Sequence, residues 1–129
     1  MHHLGLDAIV DLPPELNGGL TFHLPLEVFA LEHAAASAAH IDARIEAELA
    51  VAFRDGLVDP PFYRWGIEQY RPLATTLLAS DAAARCQAVQ SVAPLGDGLA
   101  GAAFHGLIRL GFGALRRDAD EIARGLAYL

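Results

Sequence analysis

Hydrophobic residues recur along the chain at three- and four-residue spacing. One such set, Leu24, Val28, Leu31 and Ala35, starts beside Pro25, whose missing amide hydrogen suits a first helical turn. The pattern therefore predicts a helix that is entered near Phe22–Leu24. A second set, spaced in the same way, is Ile41, Ile45, Leu49 and Ala52. It predicts a helix over 41–53 that the pair Asp55-Gly56 closes.

Four further signals divide the rest of the chain. Pro72 predicts a kink or a restart between the aromatic segment 62–70 and the helix over 73–79. Asp81 is a good N-cap for a helix over 82–92, and Asp97 is one for a helix over 99–115. Asp118 with Glu121 has capping-box spacing and predicts a last helix that reaches Leu129.

Composition agrees with this helical reading. Alanine and leucine supply 45 residues against 12 of valine plus isoleucine, and strands favour the branched residues. We predict an all-α fold, a helical bundle of about five to six helices. The 129 residues form one domain, 1–129, which is expected to belong to a larger helical architecture.

The charge balance excludes some classes of partner. The net charge is −7, and every basic residue is an arginine, with only Arg116 and Arg117 adjacent. Nucleic-acid binding needs concentrated positive charge, so no nucleic-acid partner is expected. No uncharged apolar run approaches the ~20 residues of a membrane span. The single Cys86 cannot form an internal disulfide, so a cytoplasmic protein is predicted.

Two of the six histidines lie in strongly apolar surroundings. They are His23, four residues before Glu27, and His105, four residues before Arg109. On a helix each pair shares a face. His23 with Glu27 could bind a metal or hold an oriented base, and Arg109 beside His105 could clamp an anionic oxygen. Ordinary buried, hydrogen-bonded histidines are the alternative reading of both.

Glycines and the apolar C-terminal segment suggest close packing. Four glycines make one face of the 99–115 helix small, which predicts close approach by another helix or by a ligand: Gly101, Gly106, Gly111 and Gly113. The segment Gly125–Leu129 is apolar, so it is expected to dock on something or to continue into a longer architecture.

Several of these residues resemble the questin oxidase-like family. The resemblance is carried by Asn17–Leu26 with its His-Leu-Pro element, by Trp65-Gly66 and 70–73, and by the closing blocks 103–110 and 121–129. The Phe-His-Gly-Leu-Ile-Arg element at 104–109 is among its most specific parts. Family members are longer, and this chain resembles only their N-terminal portion.

The resemblance implies a mostly helical oxidoreductase. Characterised fungal members are NADPH-dependent monooxygenases that use molecular oxygen to open an anthraquinone ring by Baeyer–Villiger-type chemistry. For this chain we expect an aromatic, polyketide-like small-molecule substrate and NADPH, with no metal site from this segment alone. His105 is predicted to be the base or a hydrogen-bond partner of the substrate. Arg109 is predicted to stabilise an enolate or peroxo anion, and His23 to orient the substrate or bind a metal.

Two alternatives remain open. The chain could be a catalytically inactive helical module that binds a ligand or forms a homodimer through the C-terminal helix at Gly125–Leu129. A stand-alone metal protein is the weaker alternative, because two histidines and Glu27 underfill a metal site.

Overall fold

A computed structural model describes residues 9–17, 22–98 and 104–129. Six α-helices lie within these ranges: α1 (Leu24–His33), α2 (Ala38–Asp55), α3 (Tyr63–Leu77), α4 (Ala82–Val92), α5 (His105–Arg116) and α6 (Ala119–Ala127). A 3₁₀ helix, Ala93–Gly98, follows α4. The strands β1 (Glu15–Leu16) and β2 (Leu57–Val58) form a small antiparallel pair that the sequence did not predict. The predicted all-α bundle is confirmed.

The chain divides into two compact units, Met1–Pro60 and Pro61–Leu129. The first contains α1, α2 and the strand pair, and the second contains α3 to α6. The expectation of one domain over 1–129 stays a prediction.

The first unit is built on α1 and α2. Helix α1 begins at Leu24 with Pro25 in its first turn, as predicted. Helix α2 is longer than expected, because Ser37 caps it and accepts a hydrogen bond from the amide of His40 at 3.3 Å. It ends at Asp55, and the C-cap residue Gly56 has a φ of 86°, which is costly for residues with a Cβ atom. The buried apolar residues of this unit are Ile9, Val10, Phe22, Leu24, Val28, Phe29, Ile41, Ile45 and Ala52.

In the second unit, helix α3 passes through Pro72 without a break. The predicted restart is therefore wrong. Proline removes one backbone hydrogen bond, but the helix keeps its buried face of Tyr63, Gly66, Ile67 and Ala74. Packing of that face against α6 outweighs the lost bond, since burying a large apolar side chain contributes about 1.5–3 kcal/mol.

The predicted caps of two other helices are confirmed. Asp81 accepts hydrogen bonds from the amides of Ala83 and Ala84, at 2.9 and 3.2 Å, and α4 ends at Val92. Asp118 accepts from the amide of Glu121 at 3.1 Å and starts α6. The Asp118 carboxylate therefore supplies its half of the predicted capping box. The Glu121 carboxylate does not supply the other half, because it turns into the core instead.

Helix α6 is the centre of the second unit. It packs against α3 on one side and α5 on the other. Its residues from Glu121 to Leu126 are all buried. The apolar C-terminal segment Gly125–Leu129 therefore docks on the chain's own helices. Its last residues, 127–129, are half-buried and are its more accessible part.

Helix α5 is shorter than the sequence predicted. Phe104 has a φ of 66°, so it cannot continue a right-handed helix, and α5 begins at His105. A single helix over 99–115 is therefore wrong. Residues 99–103, including Gly101, lie outside the described residues, and Asp97 belongs to the 3₁₀ helix.

Glycines let α5 and α6 approach each other closely. A Cβ atom on Gly113 would lie 2.7 Å from the Ile122 amide nitrogen, and one on Gly125 would lie 2.6 Å from the Leu110 amide nitrogen. Gly106 is similarly crowded, by the Gly125 carbonyl at 3.1 Å. A neighbouring helix, rather than a ligand, therefore accounts for these small residues. Gly111 differs, because its Cβ would meet nothing within 4 Å.

None of the helices in the described part of the chain is both long and apolar enough to cross a membrane.

The helix contact predicts opposite effects for two glycine substitutions. Gly125→Ala should lower the free energy of unfolding by about 1–3 kcal/mol, because its Cβ would meet backbone that cannot move aside. Gly111→Ala is the matched control and should be neutral or stabilising by up to ~1 kcal/mol. Urea unfolding of both variants checks this. Equal stability of the two variants would contradict the proposed close approach.

Candidate functional site

A buried cluster of charged side chains joins α5 to α6. Glu121 is fully buried, and Arg109 and Arg124 are 4% and 7% exposed. Arg109 Nε donates to Glu121 Oε1, and Arg109 Nη2 lies 3.4 Å from Glu121 Oε2. Arg124 Nη1 donates to Glu121 Oε2 at 3.2 Å. The carboxylate therefore lies between two guanidinium groups.

Tyr63 connects this cluster to α3. Its hydroxyl accepts a hydrogen bond from Arg109 Nη1 at 3.3 Å, and its ring packs edge-on against Tyr128 with centroids 6.0 Å apart. The Arg64 guanidinium lies 5.5 Å from the centre of the same ring. Glu121, Arg109, Arg124 and Tyr63 are called the arginine cluster below.

The local sequence explains why the carboxylate points inward. Asp118 caps α6, which places Glu121 in the first helical turn, where the helix dipole favours a negative charge. Arg124 follows three residues later and lies beside Glu121 on the same helix. Charged side chains are rarely buried unless they are paired, and here one carboxylate pairs with two guanidinium groups.

Burial also affects the Tyr63 phenol. Loss of hydration raises its pKa above the ordinary value of 10.0, because the phenolate would be charged in a poorly solvated place. The positive charge of Arg109 opposes this shift, and the negative charge of Glu121 adds to it. Tyr63 is therefore a neutral hydroxyl throughout the physiological pH range.

His105 and Arg109 lie one helical turn apart on the same helix, as the sequence predicted. His105 is the first residue of α5 and is half-buried, and Arg109 lies one helical turn further along. The two therefore project from neighbouring positions of one helix face. Arg109, however, faces Glu121 and Tyr63 in the interior.

His23 differs from the expectation of a buried imidazole. It is the N-cap residue of α1, and its side chain is exposed. The Glu27 carboxylate forms a two-pronged ion pair with Arg44, with both N–O distances 3.1 Å. His23 lies in the first unit and His105 in the second, so a pocket shared by the two stays a prediction.

The ion pair of Glu27 with Arg44 favours a structural role for this carboxylate over the metal role that its spacing suggested. Within 9–17, 22–98 and 104–129, no group of three or more histidine, cysteine or acidic side chains could hold a metal ion.

The sequence analysis did not identify three members of the arginine cluster as candidate site residues. Glu121 and Arg124 are charged residues inside the apolar run that contains Ile122, Ala123 and Leu126. A charge on the apolar face of a helix is the signal that could have found them. Tyr63 carried no comparable signal, because it is one of several aromatic residues in 62–70.

Comparison with known proteins adds no relative. No family model matches the chain, and neither a curated protein nor a solved structure matches it significantly.

The cluster predicts that Glu121 stabilises the second unit. Glu121→Gln should lower the free energy of unfolding by about 3–5 kcal/mol, because it removes the negative charge that both buried guanidinium groups contact. The neighbouring Asp120→Asn is the matched control. Asp120 forms an exposed ion pair with Arg71, so its loss should have little effect on stability. Chemical denaturation measures both, and similar losses would contradict a buried cluster.

The raised pKa of Tyr63 predicts how the free energy of unfolding changes at alkaline pH. The phenol ionises near pH 10 in the unfolded chain but at higher pH in the folded one. Its stabilising contribution is therefore fully present below about pH 10 and is lost as the pH rises through the folded pKa. We expect the free energy of unfolding to fall more steeply above about pH 10 in the wild type than in Tyr63→Phe. Tyr70→Phe retains Tyr63 and should keep the steep fall; a shallow fall in that control would contradict the assignment.

Proposed function

We propose that the chain is an oxidoreductase that resembles the questin oxidase-like family and acts on an aromatic, polyketide-like substrate. The Phe-His-Gly-Leu-Ile-Arg element at 104–109 supports this proposal. It starts α5 with a half-buried His105, one turn from an arginine that the interior holds in place. An imidazole that is partly accessible on a rigidly held helix is well placed to exchange a proton with a bound molecule.

The proposed reaction inserts one atom of molecular oxygen beside a ring carbonyl. The ketone, O₂, NADPH and a proton give a lactone, NADP⁺ and water, so NADPH supplies the two electrons. His105 is assigned the role of base towards a phenol hydroxyl of the substrate, or of hydrogen-bond partner to its carbonyl oxygen.

The arginine cluster changes the role that we assign to Arg109. Its guanidinium is 4% exposed and contacts Glu121 and Tyr63. We therefore assign it as a positioning residue that fixes α5, and with it His105, rather than as a group that touches an anionic intermediate. The role of His23 in orienting the substrate stays a prediction.

The ion-paired arginines of the second unit do not fit NADPH. Its phosphates need accessible cationic groups, but Arg109 and Arg124 are turned towards Glu121, and Arg71 is held by Glu68 and Asp120. These three arginines are therefore not assigned to NADPH, which enters the proposal only as the source of the two electrons.

The alternative is an inactive helical module that binds a ligand or forms a homodimer through the C-terminal helix. The packing of α6 between α3 and α5 disfavours such a dimer, because Glu121–Leu126 are already buried within one chain. Both forms of this alternative predict that the wild type does not oxygenate the substrate.

His105→Gln tests the enzymatic proposal. With hydroxyanthraquinones as probes, the wild type should consume NADPH and O₂ and yield a product heavier by one oxygen atom. His105→Gln should reduce the rate by about 10²–10⁴-fold, because glutamine keeps a hydrogen bond but cannot take up the proton. His40→Gln, an exposed position on α2, is the control and should retain the wild-type rate. Equal rates for the two variants, or a wild type that neither binds nor oxygenates the probes, would refute the proposal.

A further inference from the structure

The second unit contains an apolar pocket that the proposed reaction does not use. Its volume is about 300 Å³, and it opens between α4, the 3₁₀ helix, α5 and α6. All eight lining residues are aliphatic: Val89, Val92, Ala93, Leu95, Leu107, Leu110, Leu126 and Leu129.

The volume of the pocket fits a small molecule. Ligand pockets begin at about 300 Å³, and an apolar cavity of about 150 Å³ takes up benzene. The pocket is about twice that size, so a molecule with two fused aromatic rings would fill it. At its rim, Val89 and Leu107 are 56% and 41% exposed. A bound apolar molecule would therefore remove aliphatic surface from water, which is favourable by roughly 25 cal/mol per Å².

The lining also determines the charge of the ligand. None of the eight lining side chains carries a charge or a hydrogen-bonding group. Moving an ionised or strongly polar group into such a site would cost several kcal/mol. The nearby charged side chains Arg109 and Glu121 bind each other in the interior and do not line the pocket. The ligand is therefore neutral.

The pocket and His105 lie on different faces of α5. At about 100° per residue, Leu107 and Leu110 lie roughly 140–200° around the helix axis from His105. A molecule in the pocket would therefore not be the one that receives or loses a proton at His105. This separates the pocket from the site of the proposed oxidation.

We propose that this pocket is a binding site for a neutral apolar molecule of about two fused aromatic rings. It does not rest on the proposed oxidoreductase activity. Four of the eight lining residues lie on or just after α5 and α6, whose contact the buried Glu121 holds together.

Fluorescence titration of the full chain with N-phenyl-1-naphthylamine, a neutral probe, tests this proposal. The wild type should show saturable binding of one probe per chain. Ala93→Phe fills the pocket and Val89→Glu places a carboxylate at its rim, so each should weaken binding at least tenfold. Both residues are exposed, which makes the variants compatible with folding. Leu115→Glu, at a 68% exposed position of α5 outside the lining, should bind like the wild type.

Two further measurements distinguish binding in this pocket from adsorption to the protein surface and from binding at His105. The anionic relative 1-anilinonaphthalene-8-sulfonate should bind at least tenfold more weakly than the neutral probe. His105→Gln should leave probe binding unchanged, so loss of oxidation and loss of this site are distinguishable. The proposal is overturned if the wild type shows no saturable binding, if both pocket variants bind like the wild type, or if the sulfonate binds as tightly.

Discussion

The second unit depends on one buried carboxylate. Glu121 binds Arg109 on α5 and Arg124 on its own helix, and Arg109 reaches Tyr63 on α3. A buried charge is tolerated only when its partners are well positioned, and this cluster joins side chains of three helices. The glycine contacts between α5 and α6 have the same effect, because they bring the two backbones close enough for the side chains to meet.

This arrangement gives α5 two different faces. One carries the half-buried His105 beside the fixed charge of Arg109, and it supports the enzymatic proposal. The other carries Leu107 and Leu110, which line an aliphatic pocket. The proposed chemistry at His105 and the proposed apolar binding site therefore lie on different faces of one helix. The two proposals can be tested independently for that reason.

Much of the helical architecture follows from local sequence. Pro25 in the first turn of α1, Asp81 and Asp118 as caps, and Gly56 as a helix end all act through contacts within a few residues. The predicted restart at Pro72 failed because α3 is continuous there and packs its buried face against α6. The predicted single helix over 99–115 failed at Phe104, whose left-handed conformation makes α5 begin at His105.

In the candidate site, too, some features follow from the local sequence and others only from the tertiary structure. The sequence by itself determined that the chain is helical, that His105 and Arg109 lie one turn apart, and that its glycines allow close packing, since helical periodicity and steric size are local properties. Only the tertiary structure decided that Arg109 faces Glu121, that Glu27 binds Arg44, and that His23 is exposed. Those outcomes depend on which residues distant in the chain meet in space, and a charge finds its partner only after the helices have packed.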